Sequence, residues 1–378
     1  MERPIFKDIG TKEIELDTPG LMVDLDSLDY NLAYMNRFVE SKGLNIKPYI
    51  GAHGSPAIAH KQIKYSSTSG ITVSTLGQAE VFIEHGLNDV LIANIIYNKR
   101  KINRLCALAK NSNITLLVDN TSNIADLSAA ATSAGVELNL LLVISSSTDS
   151  LGVEPGDNAE KMCQDIQKLP AINFTGLFGK FINNYVSESL PENNIYNKLE
   201  FNKINNDSIQ FVQTILNFRE QIETKGIEVN SVVYGCTYDY QDVASISGVT
   251  DIIAGSYALM DAKYKVLRTE FKNAASVMTC ITSLPAPKTI ITDGGRKAIG
   301  ADLGSPEATL PGLIVKGLSA EHGNIAFDWG NKNLNLGDRI WCIPYDITSC
   351  VNLHDYIFGI RNGCLESIWD LPARGHYR

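Results

Sequence analysis

Two short segments of the sequence combine a glycine with a side-chain hydroxyl, a pattern typical of loops that bind phosphate groups. The first reads YGCTYD at residues 234–239, and the second reads GSYALMD at residues 255–261. Glycine lets the backbone approach an anion closely, so that neighbouring N–H groups can converge on it. The alternative is a pair of tight turns with ordinary glycines. The sequence predicts a phosphate-binding site built from Gly235, Cys236, Thr237, Gly255, Ser256 and Tyr257.

Two further residues could carry reactive chemistry. His53 lies in GAHGSP after a short apolar run, and Lys180 lies near the end of TGLFGKF. A histidine can transfer protons near neutral pH, and a desolvated lysine with a lowered pKa can act as an amine or a base. We predict a ligand contact or proton transfer for His53, with a loop histidine as the alternative. For Lys180 we hypothesise an amine nucleophile or base, with a surface lysine as the alternative.

Eight short apolar runs that alternate with amphipathic helical stretches would position these residues. Eight strand–helix units predict a (β/α)8 barrel over residues 26–268, whereas a doubly wound open sheet usually has fewer strands. Active sites of such barrels lie at the C-terminal ends of the strands, and phosphate sites gather after strands seven and eight. The two glycine–hydroxyl loops follow those two strands. The strand candidates are 46–51, 70–74, 89–93, 114–118, 139–145, 173–178, 231–235 and 251–254.

The pattern changes after about residue 270. Short strands with turn residues between them follow one another without a convincing helix, which predicts an all-β domain over residues 269–378. One additional strand, LMVDL at 21–25, precedes the barrel and would give it a ninth unit. We therefore predict that residues 1–25 contribute this strand to the β-domain.

Composition limits the classes of partner. The net charge of −9 argues against nucleic acid or an anionic membrane as a partner, although a local nest of N–H groups can still bind a small anion. The seven cysteines form no CxxC pair, which favours reduced thiols. The N-terminus lacks the apolar core of a signal peptide, and the longest apolar run is far shorter than a membrane span. We therefore expect a soluble cytoplasmic protein.

Several motifs together resemble the D-threonine aldolase and D-serine dehydratase group, which is close to alanine racemase among fold-type III pyridoxal phosphate enzymes. They occur in the order of that group and include TPGLMVDLDSLDYNL, LGQAEVFIEHGLNDVLIAN, AGSYALMDAKY, LGDRIWCIP and VNLHD. The resemblance implies a barrel of alanine racemase type followed by a β-domain, with pyridoxal phosphate as the cofactor. It also implies a homodimer and a small amino-acid substrate.

The sequence departs from this group at the reactive end of the site. The group's motif resembles R-P-H-x-K-T-H-K-S-P, whose first lysine forms the Schiff base with the cofactor, but this chain has Gly51 there and Gly54 at the second lysine. Ser150 stands at the position of an arginine expected near the cofactor's ring hydroxyl. The positions of the group's zinc-type ligands hold Asp346 and Thr348, a poor set for zinc. We therefore expect neither the usual Schiff base nor zinc.

Three functions remain open. The chain could be a lyase, aldolase or racemase for a small D-amino or 3-hydroxy amino acid, with pyridoxal phosphate bound noncovalently or through Lys180. It could keep the phosphate site and act on another phosphorylated metabolite. It could also be a catalytically silenced relative that binds a ligand or supports a partner subunit. We favour the first, because the whole scaffold resembles that of amino-acid lyases and racemases.

Overall fold

The computed structural model describes residues 7–65, 70–147, 150–180, 198–327 and 334–378. Eight parallel strands form one sheet, in which strand one pairs with strand eight and a bridge between Tyr49 and Thr72 joins strand one to strand two. The sheet therefore closes on itself, and the predicted barrel is confirmed. Strands one to eight of the barrel are Asn45–Ile46, Ile71–Val73, Asp89–Ile95, Asn113–Val118, Leu138–Ser145, Ile172–Lys180, Ser231–Val233 and Asp251–Ile252.

Helices alternate with these strands, and several begin at a capping side chain. Asn120 accepts hydrogen bonds from the N–H groups of Ser122 and Asn123 and so begins the helix Thr121–Ala134, which ends at Gly135 in the left-handed conformation. The α-helices of this part are Leu25–Ser41, Pro56–Tyr65, Leu76–Glu84, Lys99–Leu108, Thr121–Ala134, Asp157–Lys168, Lys198–Glu223 and Tyr240–Val243. Single 3-10 turns span Glu13–Glu15, Ile50–Ala52 and Ser256–Ala258.

Apolar side chains fill the inside of the barrel. They form one buried cluster, against which Tyr49 and Phe178 pack nearer the C-terminal ends of the strands. A filled interior leaves the mouth at these ends as the place where a ligand can enter. The cluster consists of Leu91, Leu117, Leu141, Val143, Val233 and Ile253.

A second sheet of nine strands forms the β-domain. The N-terminal strand Gly20–Asp24 lies between two strands of this sheet, antiparallel to Ala275–Ala286 and parallel to Tyr356–Arg361. The domain boundaries themselves stay predictions. The remaining strands are Thr289–Thr292, Glu307–Ala308, Leu313–Leu318, Gly323–Phe327, Arg339–Ile343 and Cys364–Asp370.

The predicted β-domain is confirmed as a mostly-β unit, and it also contains two short helices. Two single-turn helices, Arg296–Ile299 and Ile347–Val351, are too short to show a helical period in the sequence. The second begins at Asp346, whose side chain accepts a hydrogen bond from the Ser349 N–H, and it packs against the turn Ile50–Ala52. The β-domain thus reaches the mouth of the barrel at this helix.

Within the described residues, no helix has the length and apolar character needed to cross a membrane.

Candidate active site

A cavity of about 350 Å³ lies at the C-terminal ends of the barrel strands. It brings together five of the six residues predicted to bind phosphate: Gly235, Cys236, Thr237, Gly255 and Ser256. Its volume lies within the range of about 300–1,000 Å³ that is usual for small-molecule sites. The other lining residues are Tyr49, Ser74, Ala93, Leu117, Leu151, Phe178, Ile253, Tyr264, Asp346 and Thr348.

The loop after strand seven is shaped for an anion. Gly235 adopts a φ of 101°, a conformation that favours glycine, and the following Cys236 donates its N–H to a carboxylate oxygen of Asp239 at 2.7 Å. The Thr237 hydroxyl accepts the N–H of Tyr257 at 3.1 Å and thereby ties this loop to the loop after strand eight. Among the described residues, the N–H groups of Gly235, Thr237 and Ser256 donate to no acceptor. All three residues line the cavity.

The buried carboxylate of Asp239 holds this loop by hydrogen bonds. Asp239 is 2% exposed, and its second oxygen accepts a hydrogen bond from the hydroxyl of Ser208 at 2.8 Å. The Ser208 hydroxyl also lies 2.6 Å from the hydroxyl of Tyr234. Burial raises the pKa of Asp239, because the charged form is desolvated. Burial also raises the pKa of the Cys236 thiol well above its usual value, so that this thiol stays protonated. Asp239 thus positions the loop, and the raised pKa of Cys236 does not favour a role as nucleophile.

Tyr257 does not present its hydroxyl to the cavity. The hydroxyl is buried and accepts a hydrogen bond from the side-chain amide of Gln62 at 3.1 Å, and the ring packs against Phe271. The sequence leaves two roles open for Tyr257, a hydroxyl donor to phosphate or a buried aromatic residue under the barrel rim, and this geometry agrees with the second. An apolar environment and an internal partner hold the side chain inside the protein, and only its N–H takes part in linking the two loops.

His53 also lies inside the protein. Its Nδ1 accepts the Ser55 N–H at 3.1 Å, so that Nε2 donates to Gln62 at 3.0 Å, and the ring is fully buried. Because burial disfavours the charged form, the pKa of His53 falls to about 4. This geometry does not support proton transfer to a ligand in the cavity, and it makes His53 part of the internal network that ends at Tyr257.

The lowered pKa of His53 predicts a pH dependence of stability. The unfolded chain binds a proton at His53 below about pH 6.5, whereas the folded chain binds it only near pH 4. The free energy of unfolding should therefore fall by about 3 kcal/mol as the pH drops through this window. His53→Gln should remove this part of the slope in urea unfolding between pH 4 and 6.5. His60→Gln, an exposed histidine of the next helix, is the control and should keep the wild-type slope. An unchanged slope in His53→Gln would contradict the assignment.

At the position of the expected lysine, the ring of Tyr49 lies where a side chain would begin. A Cβ atom on Gly51 would lie 2.4 Å from both the Cζ and the hydroxyl of Tyr49. The Tyr49 hydroxyl lies 2.5 Å from the hydroxyl of Ser74, and both residues line the cavity. Sequence reasoning missed Tyr49 and Asp239. One signal was available for Tyr49. It stands two residues before Gly51, in the same motif in which glycine replaces the expected lysine.

Asp346 and Thr348 extend the site from the β-domain, since both line the cavity. One oxygen of Asp346 is used as the helix cap. Among the residues that the structure describes, no three or more His, Cys, Asp or Glu side chains are placed to hold a metal ion. Lys180 is the last residue of strand six, in register with Ser145, and its side chain lies outside the described part of the chain. The hypothesis for Lys180 therefore stays a prediction.

Comparison with known proteins agrees with this architecture. The family model "Alanine racemase, N-terminal domain" matches residues 23–229, and "Putative serine dehydratase domain" matches residues 274–360. The D-threonine aldolase of Arthrobacter sp is 27% identical, over 98% of this chain and 96% of that protein. The 3-hydroxy-D-aspartate aldolase of Paracoccus denitrificans (strain Pd 1222) is 28% identical, over 97% and 94%.

The crystal structure of D-threonine aldolase from Filomicrobium marinum superimposes with a TM-score of 0.89, at 26% identity, over 98% of this chain and 99% of that one. The predicted resemblance is thereby confirmed, and it extends over both sheets. Since the alanine racemase model alone spans more than half of the residues, the chain belongs to the alanine racemase N-terminal domain family.

Proposed function

We propose that the chain is a lyase for a small D-amino or 3-hydroxy amino acid and that it binds pyridoxal phosphate noncovalently in the mouth of the barrel. The single observation that carries the proposal is the cavity that joins the loops after strands seven and eight. The names of the relatives support the substrate class, because an aldolase for D-threonine and another for 3-hydroxy-D-aspartate cover nearly the whole chain.

The phosphate end of the cavity fits the cofactor. The N–H groups of Gly235, Thr237 and Ser256 would hold the phosphate, as loop amides commonly do in barrels of this kind. Gly235 provides the positive φ of the first loop, and Gly255 lets the second loop approach the Tyr49 carbonyl closely. Phe178, Leu117 and Ile253 line the cavity with apolar side chains and would shield a bound cofactor ring from water. When bound, pyridoxal phosphate supplies an electron sink for bond cleavage next to the amino group of a substrate.

The part of the cavity nearest residue 51 does not provide the usual amine. Gly51 has no side chain, and Tyr49 and Ser74 line that part of the cavity instead. Burial raises the pKa of Tyr49, so that its hydroxyl keeps its proton near neutral pH and donates or accepts hydrogen bonds without carrying charge. Without a lysine there, proton transfer at this end is less effective, and we expect slow turnover.

The missing amine at residue 51 favours a second candidate function. A site whose phosphate end is intact and whose reactive end is filled by an aromatic ring could bind a phosphorylated small molecule without lyase chemistry. In that case the chain would be a repurposed or silenced member of its family. The homodimer and the cytoplasmic location implied at the level of the sequence stay predictions in both cases.

Reconstitution with pyridoxal phosphate separates the two functions. We expect the purified protein to acquire a visible absorbance band that persists through dialysis in phosphate-free buffer and is lost in phosphate buffer, because inorganic phosphate competes for the same N–H groups. We also expect slow release of glycine from D-threonine or a related 3-hydroxy amino acid. Binding without any release would favour the second candidate. A protein that binds neither pyridoxal phosphate nor inorganic phosphate would contradict both. Reduction with borohydride followed by peptide mapping would show whether Lys180 becomes labelled.

A further inference from the structure

The ring of Tyr49 occupies the space into which a side chain at residue 51 would extend. A Cβ on Gly51 would lie 2.4 Å from the Tyr49 Cζ and hydroxyl and 2.8 Å from Cε1. Non-bonded carbon atoms prefer separations of about 3.5–4.0 Å, so that even a methyl group at residue 51 displaces this ring. Gly51 and Tyr49 are therefore sterically coupled, and neither residue can be interpreted alone.

The surroundings hold the ring in this position. The Tyr49 hydroxyl bonds to Ser74 at 2.5 Å, and the Tyr49 N–H donates to the carbonyl of Ala254 at 2.9 Å. A Cβ built on Gly255 would lie 3.0 Å from Cδ1 of the ring, so that the loop after strand eight supports the ring from the side. Moving the ring costs the Ser74 hydrogen bond and this packing.

Tyr49 lines two cavities. One is the cavity of about 350 Å³ described above, and the other has a volume of about 90 Å³ and is lined by Gly51 and Gly54 and by the C-terminal residues Arg374 and Tyr377. The two cavities share Tyr49, Ser74 and Thr348 as lining residues. Removing the ring would join them and would open a path from residue 51 into the main cavity.

We infer that Tyr49 has taken the place of the reactive amine. Its ring excludes any amine at residue 51 and its hydroxyl, paired with Ser74, is the group presented to the ligand at this end. Tyr49 is then the residue that decides how the site holds its ligand, namely by hydrogen bonds and not by a covalent bond at residue 51. This inference rests on the proposed function for the identity of the ligand, but its steric part is independent of any ligand.

A double-mutant cycle tests the steric part. Gly51→Ala should lower the melting temperature by at least about 3 °C in the wild-type background. The same change should have little effect in Tyr49→Ala, where the ring is gone, and should keep its full effect in Tyr49→Phe, where only the hydroxyl is gone. Gly317→Ala is the matched control, since a Cβ there meets nothing within 4 Å. Equal effects of Gly51→Ala with and without the ring would overturn the inference.

Chemical trapping tests the functional part. After incubation with pyridoxal phosphate and borohydride reduction, Gly51→Lys alone should carry no label at residue 51, whereas Tyr49→Ala/Gly51→Lys should be labelled there. Tyr49→Phe should weaken the binding of pyridoxal phosphate by about three- to tenfold and leave the binding of inorganic phosphate unchanged. A label at residue 51 in the single variant, or none in the double variant that still binds the cofactor, would overturn the inference. If no variant binds pyridoxal phosphate, the proposed function fails, and the thermal cycle alone decides whether the ring excludes a side chain at residue 51.

Discussion

Gly255→Ala should both destabilise the protein and abolish tight binding of phosphate ligands. A Cβ at this position would lie 2.3 Å from the carbonyl oxygen of Tyr49 and 3.0 Å from the Cβ of Ala52. Backbone cannot move aside as a flexible side chain can, and strand eight would have to separate from the segment after strand one. We expect a loss of about 3 kcal/mol in the free energy of unfolding. The affinity for inorganic phosphate and pyridoxal phosphate should fall at least about tenfold, equivalent to about 1.4 kcal/mol.

Urea unfolding and isothermal titration calorimetry measure these two effects. Gly317→Ala again serves as the control, because its strand leaves the new methyl group in open space. It should unfold and bind as the wild type does. Wild-type stability and affinity in Gly255→Ala would contradict this prediction. The close contact between Gly255 and the Tyr49 carbonyl would then not determine the shape of the phosphate site, and the assignment of that site would lose its main support.

Asp239→Ala should have the second large effect, because it removes the buried carboxylate beneath the loop after strand seven. The change leaves the Cys236 N–H and the Ser208 hydroxyl without the acceptor they use at 2.7 and 2.8 Å. Hydrogen bonds to charged groups contribute about 1.5–3 kcal/mol each, so we expect a loss of about 3 kcal/mol in stability. The loop should also lose its shape, and the affinity for phosphate should fall at least about tenfold.

Asp239→Asn separates the role of the hydrogen bonds from that of the charge. The amide keeps an acceptor for the Cys236 N–H and removes a negative charge near the ligand, so that phosphate should bind as tightly as in the wild type or more tightly. Asp242→Ala is the control within the same loop and helix. Its carboxylate lies 3.6 Å from Arg268 and is partly exposed, so the loss should stay below about 1 kcal/mol. Equal losses in all three variants would show that Asp239 has no special role.

The fold and the place of the site were readable from the sequence because both depend on local patterns. Short apolar runs at regular spacing predicted seven of the eight barrel strands to within two residues at each end, and a period of this kind does not need the tertiary structure. The prediction of strand one at 46–51 is wrong, since the strand is only Asn45–Ile46 and a 3-10 turn forms at Ile50–Ala52. Loops after strands seven and eight meet wherever parallel strands close into a barrel, so that Gly235, Thr237 and Ser256 could be placed together in advance. The absence of a lysine at residue 51 was also visible from the motif.

The tertiary structure decided which side chains face the ligand. His53 and Tyr257 stand at the right places in the chain, yet both turn inward because Gln62, from the helix after strand one, satisfies their polar atoms in the interior. Asp239 became a support for the loop only through Ser208, a residue of the long helix before strand seven. Tyr49 covers Gly51 because Ser74 and the strand-eight loop hold its ring there. Except for the contact between His53 and Gln62, these contacts join residues far apart in the chain. Neither spacing nor composition encodes the direction in which a side chain points when its partner lies on another element.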